Sequence, residues 1–563
     1  MASTMLQRRL LSTKTSHYVK QVTRSNFVES LEEIKSLFSS CQFIAISLTK
    51  TGAHSSVWHK VSSFDSPETA YLKSKYASER FQILQFSICP FTINAFKLTA
   101  NPYNFHLFPR DELNLGMPCY SFTCKSSFLK TLASQGFDFN TCIYEGISYL
   151  SREQQSSAKI KLGSVLSVES ISKSTYPPGV ANSIFLERIK VRIKSWREGC
   201  NESNNVNDKM LLRSLRKLVL GVEESYSRPS ISIDVCNDQQ AALVAEMVQE
   251  HYDDLTPLVI QAKEGVLISV RLVLTTSDED KDLLRKQIEE TEKLHSMKLS
   301  GFRNVIDALS HSKKPIVCMN SLDDLTFIHS KFIGSLPPSF EDFSRALKAT
   351  FPRVIDISNL MKSVAPVKEG NVSVSVSLMK RRVFAPIDIE IPNHALWEDD
   401  RVHDEAVLAT AHALAKLTRV MKAEELYSDM GNRRVRISNK SSRDLKCDNI
   451  VFLWGFRCGT AGTLKKFLAE CECLMNAEFD VRFVDKNCAI VAFWSDGASD
   501  TFRRVVECGD VEKLVGVKAA GYEMYDNVCR LGLWESSLLY ALEKAQLCSL
   551  SNQKQVSDLF VSL

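Results

Sequence analysis

No stretch of the chain reaches the roughly 18 uninterrupted apolar residues that a membrane-spanning helix requires, so no membrane partner is expected. A dominant charge is missing as well. The 70 basic and 66 acidic residues leave a net charge of only +4. That balance excludes a histone-like binder driven by overall charge, while leaving room for a local basic groove. None of the 16 cysteines forms a Cys-x-x-Cys pair. Cys471 and Cys473 come nearest, at a spacing too tight for a usual zinc pair. Most cysteines sit in apolar runs, as Cys89 does in FSICPF and Cys488 in NCAIVAF, which predicts buried thiols in a reducing compartment. Residues 1–28 lack any acidic side chain but carry Arg8, Arg9, Lys14, Lys20 and Arg24 among many Ser and Thr. This is the composition of an organelle transit peptide and predicts a mitochondrial address. A flexible basic tail has the same composition and would fit the nucleus and cytoplasm instead. The absence of an apolar h-region argues against secretion.

What remains is an ordinary globular composition, 44% hydrophobic and 24% charged over 563 residues. Such a length predicts about three or four domains. CQFIAISL (41–48) reads as a buried strand, and FQILQFSICPF (81–91) and NAFKLTANPYNFHLFP (94–109) as two more, broken near Pro90. Extended segments followed by helical ones predict a mixed α/β domain. From about residue 183, Phe185, Ile189, Ile193 and Trp196 recur at helical spacing among basic residues. GCNESNNVNDK (199–209) then reads as a linker. Residues 230–275 alternate strand, amphipathic helix and strands. The charged run that follows reads as a solvated connecting helix with i,i+4 ion pairs. GFRNVIDALS (301–310) reads as an amphipathic helix and KPIVCMN as a buried strand. NVSVSVSL (371–378) fits a strand or a loop, and NRRVRISNKSSR (432–443) a linker.

Residues 449–525 follow a β-α-β-β-α-β order, the split arrangement used by RNA-recognition motifs. RNA binding on such a sheet needs aromatics on its central strands. Phe452 is supplied by the first strand. The third, KNCAIVAF, matches the RNP1 pattern at Lys486, Ala489, Val491 and Phe493, while Cys488 and Ile490 hold the two stacking positions.

Together these segments resemble the poly(A)-specific ribonuclease family of the DEDD exonucleases. The resemblance runs through RSNF (24–27), FDSPETAYLKSK (64–75), FQILQFSICPF, LASQGFDFN (132–140) with GISYL (146–150), GFRNVIDAL, FPRVID (351–356) and the late RNA-recognition-like segment. It implies a ribonuclease H-like α/β nuclease fold, discontinuous over 24–175 and 295–430. A small RNA-binding-like domain would be inserted at 180–275, although its Arg-x-x-x-His signature is missing here. Residues 276–294 would form a connecting helix, 446–527 an RNA-recognition-like domain, 528–563 a tail, and 1–23 an added extension.

The chemistry implied is two-metal phosphodiester hydrolysis, with four carboxylates holding two Mg²⁺ and a histidine as general base. The family's first strand, F-F-A-I-D-G-E-F-S-G, reads FIAISLTKTG at 43–52. Ser47 thus stands at the Asp position and Thr49 at the Glu position. In the second motif, VCMNSLDDL (317–325), Asn320 and Asp324 match, while Cys318 and Met319 replace Gly and His. In the third, VHDEAVLATAHAL (402–414), His403 matches the general base and Leu408 falls at the Asp position. A one-residue shift gives Ala409. KAAGYEMY (518–525) resembles the motif by eye but is expected inside the last strand of the C-terminal domain. Glu398, Asp399, Asp400, Asp404 and Glu405 are either substitute ligands or acids favouring a helix N-terminus.

The expectation is a nuclease fold with degenerate metal ligands, Asp324 and His403 being vestiges. The alternative is an active Mg²⁺-dependent exoribonuclease that shortens poly(A) tails from the 3′ end. The resemblance also implies a partner RNA containing poly(A), a homodimer or a heterodimer with an active relative, and Phe483 at the position of a cap-stacking Trp. With Phe452, Phe483, Lys486 and Phe493 as the candidate RNA contacts, a protein with no RNA affinity remains a third reading.

Overall fold

The computed structural model describes residues 19–162, 165–166, 179–202, 228–261, 268–364, 387–392, 406–419, 447–469, 477–508, 516–530 and 540–545, apart from positions 63, 95–96, 119–120, 276 and 457–459. The chain divides into two compact units, one built from residues 1–109, 120–151 and 302–563, the other from 110–119 and 152–301.

The first unit is organised by a mixed sheet. Along its main path the strands run Lys20–Val22, Tyr103–His106, Ile83–Asn94, Phe43–Lys50, Ile316–Cys318 and Val354–Asp356. Phe43–Lys50 pairs antiparallel with Ile83–Asn94, and parallel with Ile316–Cys318. The latter pairs parallel with Val354–Asp356. Strand alternation sends successive side chains to opposite faces. Ile44 and Ile46 enter one core with Phe86, Leu325 and Phe327. Ala45 enters another with Val317, Ile355, Leu408 and Leu414. Helices therefore cover both faces, as a sheet with parallel strands requires. This is the mixed α/β architecture expected from the sequence.

Several details differ from the expectation. Lys20–Val22 forms a strand parallel to Tyr103–Phe105, so the sheet begins inside the segment expected to be an extension. Pro90 does not break the strand Ile83–Asn94. It sits opposite Ile44, and its carbonyl accepts from the Asn101 N–H at 3.0 Å, while the Ile44 N–H turns to Pro315. The helix expected from residue 183 runs from Val180 to Glu202, into the presumed linker.

Gly52 closes the turn after Phe43–Lys50. A Cβ there would stand 2.5 Å from the Phe81 ring, so only glycine allows this approach.

The second unit has a four-stranded sheet, ordered Val165–Leu166, Leu255–Gln261, Ile268–Leu274 and Ser230–Val235. The helices Val180–Glu202 and Asp238–His251 supply Ile189, Ile193, Val244 and Val248 to its core. The charged connector is the helix Asp278–Ser300, capped by the Ser277 side chain on the Asp280 N–H. By contacts this unit also takes in Arg152–Leu162, which the sequence division gave to the nuclease domain.

Within the first unit, residues 450–521 form a separate antiparallel sheet. Its order is Phe479–Asp485, Cys488–Phe493, Ile450–Trp454, Lys518–Gly521. The helices Ala461–Ala469 and Ala498–Cys508 pack on one face through Leu464, Leu468, Phe502 and Val506. KAAGYEMY is divided here: its strand ends at Gly521, and Tyr522 opens the helix Tyr522–Arg530.

Candidate active site

Parallel strands deliver their carboxyl ends to one edge, the usual place for a site in such a sheet. Phe43–Lys50, Ile316–Cys318 and Val354–Asp356 all end there. The first brings Ser47, Thr49 and Lys50, the second leads into the helix Ser321–Ile328 with Asp323 and Asp324, and the third ends on Asp356.

Lys50 dominates the geometry. Its ammonium donates to Asp323 Oδ2 at 2.7 Å and to Asp324 Oδ1 at 2.8 Å, and lies 4.4 Å from the centre of the Phe327 ring. The Lys50 and Asp324 side chains are only 8% and 12% exposed. A charge this deep persists only when paired. Burial alone would pull the ammonium down, but Asp323 and then Asp324 hold it above its ordinary range. Burial pushes the Asp324 carboxyl up to about 6 against the pull of Lys50, with Asp323 and Asp356 adding repulsion. At neutral pH the pair is therefore ionised, and below about pH 6 Asp324 takes up a proton.

Asp356 has a different role. One carboxylate oxygen accepts from the Ser321 N–H at 2.8 Å and from the Ser321 hydroxyl at 2.6 Å. The other accepts from the Asn359 N–H at 3.0 Å. It caps the helix Ser321–Ile328, whose N-cap residue Asn320 makes no side-chain capping bond. A carboxylate at a helix N-terminus is stabilised by the helix dipole.

Ser47 and Thr49 follow Phe43 and Ala45 in alternation, on the face covered by the helix Ala406–Leu417. Leu408 of that helix is 3% exposed within an apolar cluster. Hydroxyls and a leucine cannot balance divalent cations, and Mg²⁺ prefers carboxylate and water oxygens. Among the described residues, no group of three or more His, Cys, Asp or Glu could hold a metal ion. The donor set does not fit two Mg²⁺, because the ammonium already satisfies the carboxylates they would use. His403 and the acids at 398–400 and 404–405 lie outside the described residues.

Sequence reasoning singled out Asp324 but missed Lys50, Asp323 and Asp356. A signal for Lys50 existed: a lysine closing a buried strand has to find an anion.

The candidate RNA contacts change more. Phe452 and Phe493 are both fully buried. Phe493 points toward the helices, 5.9 Å from Phe479 and 5.6 Å from Phe502. Phe452 is on the opposite face, covered by Trp58 and Tyr525. Neither ring is open to a base, because both faces of the sheet are occupied. Phe483 is half-buried, 5.4 Å from Phe456. Lys486 alone is exposed, in a hairpin turn.

Comparison with known proteins adds the lineage. The profile described as CAF1 family ribonuclease matches residues 22–413. A protein from Arabidopsis thaliana named "Poly(A)-specific ribonuclease PARN-like" is 41% identical, over 96% of this chain and 95% of its own length. "Poly(A)-specific ribonuclease PARN" of the same plant is 31% identical over 67% of the chain, and its Homo sapiens counterpart 26% over 66%. The chain spans 59% and 56% of those two relatives. Among solved structures, S. pombe Pop2p in its Mg²⁺- and Mn²⁺-bound form matches at 12% identity and a TM-score of 0.32, over 73% of this chain and 99% of its own.

Proposed function

The chain belongs to the CAF1 family of ribonucleases, and we propose that it serves poly(A) and RNA 3′-end metabolism as a catalytically silent member that binds adenylated RNA. The observation that carries this reading is the Lys50 ammonium lodged between Asp323 and Asp324. Where the family's chemistry calls for two divalent cations, one buried ammonium supplies a single positive charge. With Ser47 and Thr49 neutral, this site lacks the ligands to gather the metals that would activate water. RNA recognition would then rest on contacts that need no cation. The relatives' names favour the competing reading, an active Mg²⁺-dependent 3′-exoribonuclease.

Filter binding of a 3′-adenylated RNA in excess EDTA tests the RNA-binding part. Salt-sensitive affinity that is the same with EDTA and with Mg²⁺ is expected. Binding that vanishes in EDTA, or no binding in either buffer, would refute it.

A further inference from the structure

We propose that the Phe452 face of the C-terminal sheet is an internal docking surface. It clamps the loop between Lys50 and the helix Pro67–Arg80, and does not stack RNA. This goes beyond the reading above, since it assigns the C-terminal domain a task independent of RNA.

The loop starts anchored to two neighbouring segments. The Thr51 N–H donates to the Gln82 carbonyl at 2.8 Å, and its hydroxyl to the Thr123 carbonyl at 2.7 Å. From there the loop carries Trp58 onto the sheet. The indole lies edge-on to Phe452, ring centres 6.0 Å apart, and stacks with Tyr525 at 6.1 Å. Its N–H donates to Asp485 Oδ2 at 3.2 Å. A base on such a sheet would make the same kinds of contact, ring stacking and a hydrogen bond from its edge. Here the chain's own indole makes them. Phe64 and the helix Tyr522–Arg530 join Trp58 in closing the face, along with Ala541, Leu542 and Ala545, so that Cys488, Ile490 and Ala492 are buried.

A polar lock reinforces the apolar contact. Asp65 accepts from Lys73 Nζ at 3.1 Å and from the Tyr525 hydroxyl at 2.5 Å. Lys73 Nζ also donates to that hydroxyl oxygen at 2.6 Å. The Asp65 and Lys73 side chains are 0% and 1% exposed. Freeing the face would strip Tyr525 from a buried ion pair, leaving charges short of partners. Where the loop ends, the Ser66 N–H donates to the Tyr522 hydroxyl at 2.8 Å, and Asp526 accepts from the hydroxyls of Ser66 (3.3 Å) and Thr69. The C-terminal helix thus completes the cap of Pro67–Arg80. Apolar burial, a buried ion pair and a helix cap all favour the closed arrangement.

Hydrogen exchange over residues 52–66 in the full chain tests this, on wild type, Trp58→Ala and Tyr525→Phe. The phenylalanine variant keeps the ring and deletes only the hydroxyl, which guards against simple misfolding. Both variants should exchange loop amides about tenfold faster or more, the change that losing a hydrogen bond to a charged group implies. Their affinity for an adenylate oligomer should match that of wild type. Unchanged exchange in Tyr525→Phe would overturn the clamp. So would a rise of about tenfold in oligomer affinity on Trp58→Ala, the stacking strength of one base, because it would reveal a masked RNA platform. If wild-type protein binds no RNA, the proposed function fails and the exchange result alone decides the clamp.

Discussion

Replacing Lys50 by Met should destabilise the fold by about 3–5 kcal/mol at pH 7, the cost typical of breaking a buried ion pair from one side. The loss strands Asp324, 12% exposed, beside Asp323 and near Asp356 without its cation. Denaturant unfolding reads the effect. Its pH dependence identifies the cause. Asp324 titrates near 6 in the folded protein, against an ordinary value of 3.8, so folding strengthens its hold on a proton. A raised carboxyl pKa contributes stability that is complete below the unfolded value and is lost as the pH rises through the folded one. Without Lys50 the carboxyl binds its proton more tightly still. The penalty of Lys50→Met should therefore be smaller at pH 5 than at pH 7, by up to about 1.4 kcal/mol, and grow as the pH passes 6 and above. A second substitution, Asp324→Leu, should recover much of the loss, since a buried pair exchanged as a whole for apolar groups is often near neutral. By contrast, Arg345→Ala removes exposed pairs with Glu341 and Asp342 and should have a far smaller effect on stability. If Lys50→Met behaves like Arg345→Ala, the buried pair does not hold the site together.

The wild-type protein should melt at the same temperature in EDTA and in Mg²⁺ or Mn²⁺. A ligand that binds only the folded state stabilises by about 2.7 kcal/mol at 100 times its dissociation constant, so a metal site would be easy to see. The triple change Ser47→Asp, Thr49→Glu and Lys50→Phe introduces the two acids and the Phe that the resemblance implies for this strand, and frees Asp324. That variant should gain a metal-dependent rise in melting temperature which the parent lacks. A parent already stabilised by metal, or a triple variant indifferent to it, would contradict the ligand assignment. Leu408 sets a limit on such restoration. It belongs to the apolar cluster of Ala45, Val317 and Ile355, where burying a carboxylate is costly.

The strands that build the site were legible because their apolar runs are compact and their order is that of the family. CQFIAISL and KPIVCMN correspond to Phe43–Lys50 and Ile316–Cys318. Ser47 and Thr49 could be read too, as hydroxyls where the resemblance implies carboxylates. The buried cation beside them could not. A spacing argument finds Asp324 but not the partner that Lys50 reaches from another strand, since that pairing spans 274 positions in sequence. Pro90 misled because it reads as punctuation locally, whereas within the sheet its carbonyl still finds a donor. Phe452 misled for a related reason. An aromatic on a central strand looks like a stacking platform until the partner on its open face is known, and that partner, Trp58, lies in a distant loop.

The most direct test of the central claim follows tail length. Purified protein is incubated with a 3′-adenylated RNA and Mg²⁺ or Mn²⁺, beside an EDTA control. Even lost outer-shell contacts at metal sites cost about 10–100-fold, and the losses proposed here fall on the ligands themselves. The tail should stay at full length in every buffer, and Asp324→Ala should change nothing. Metal-dependent shortening by the wild type that disappears in Asp324→Ala would contradict the claim that Lys50 has taken the place of the metals.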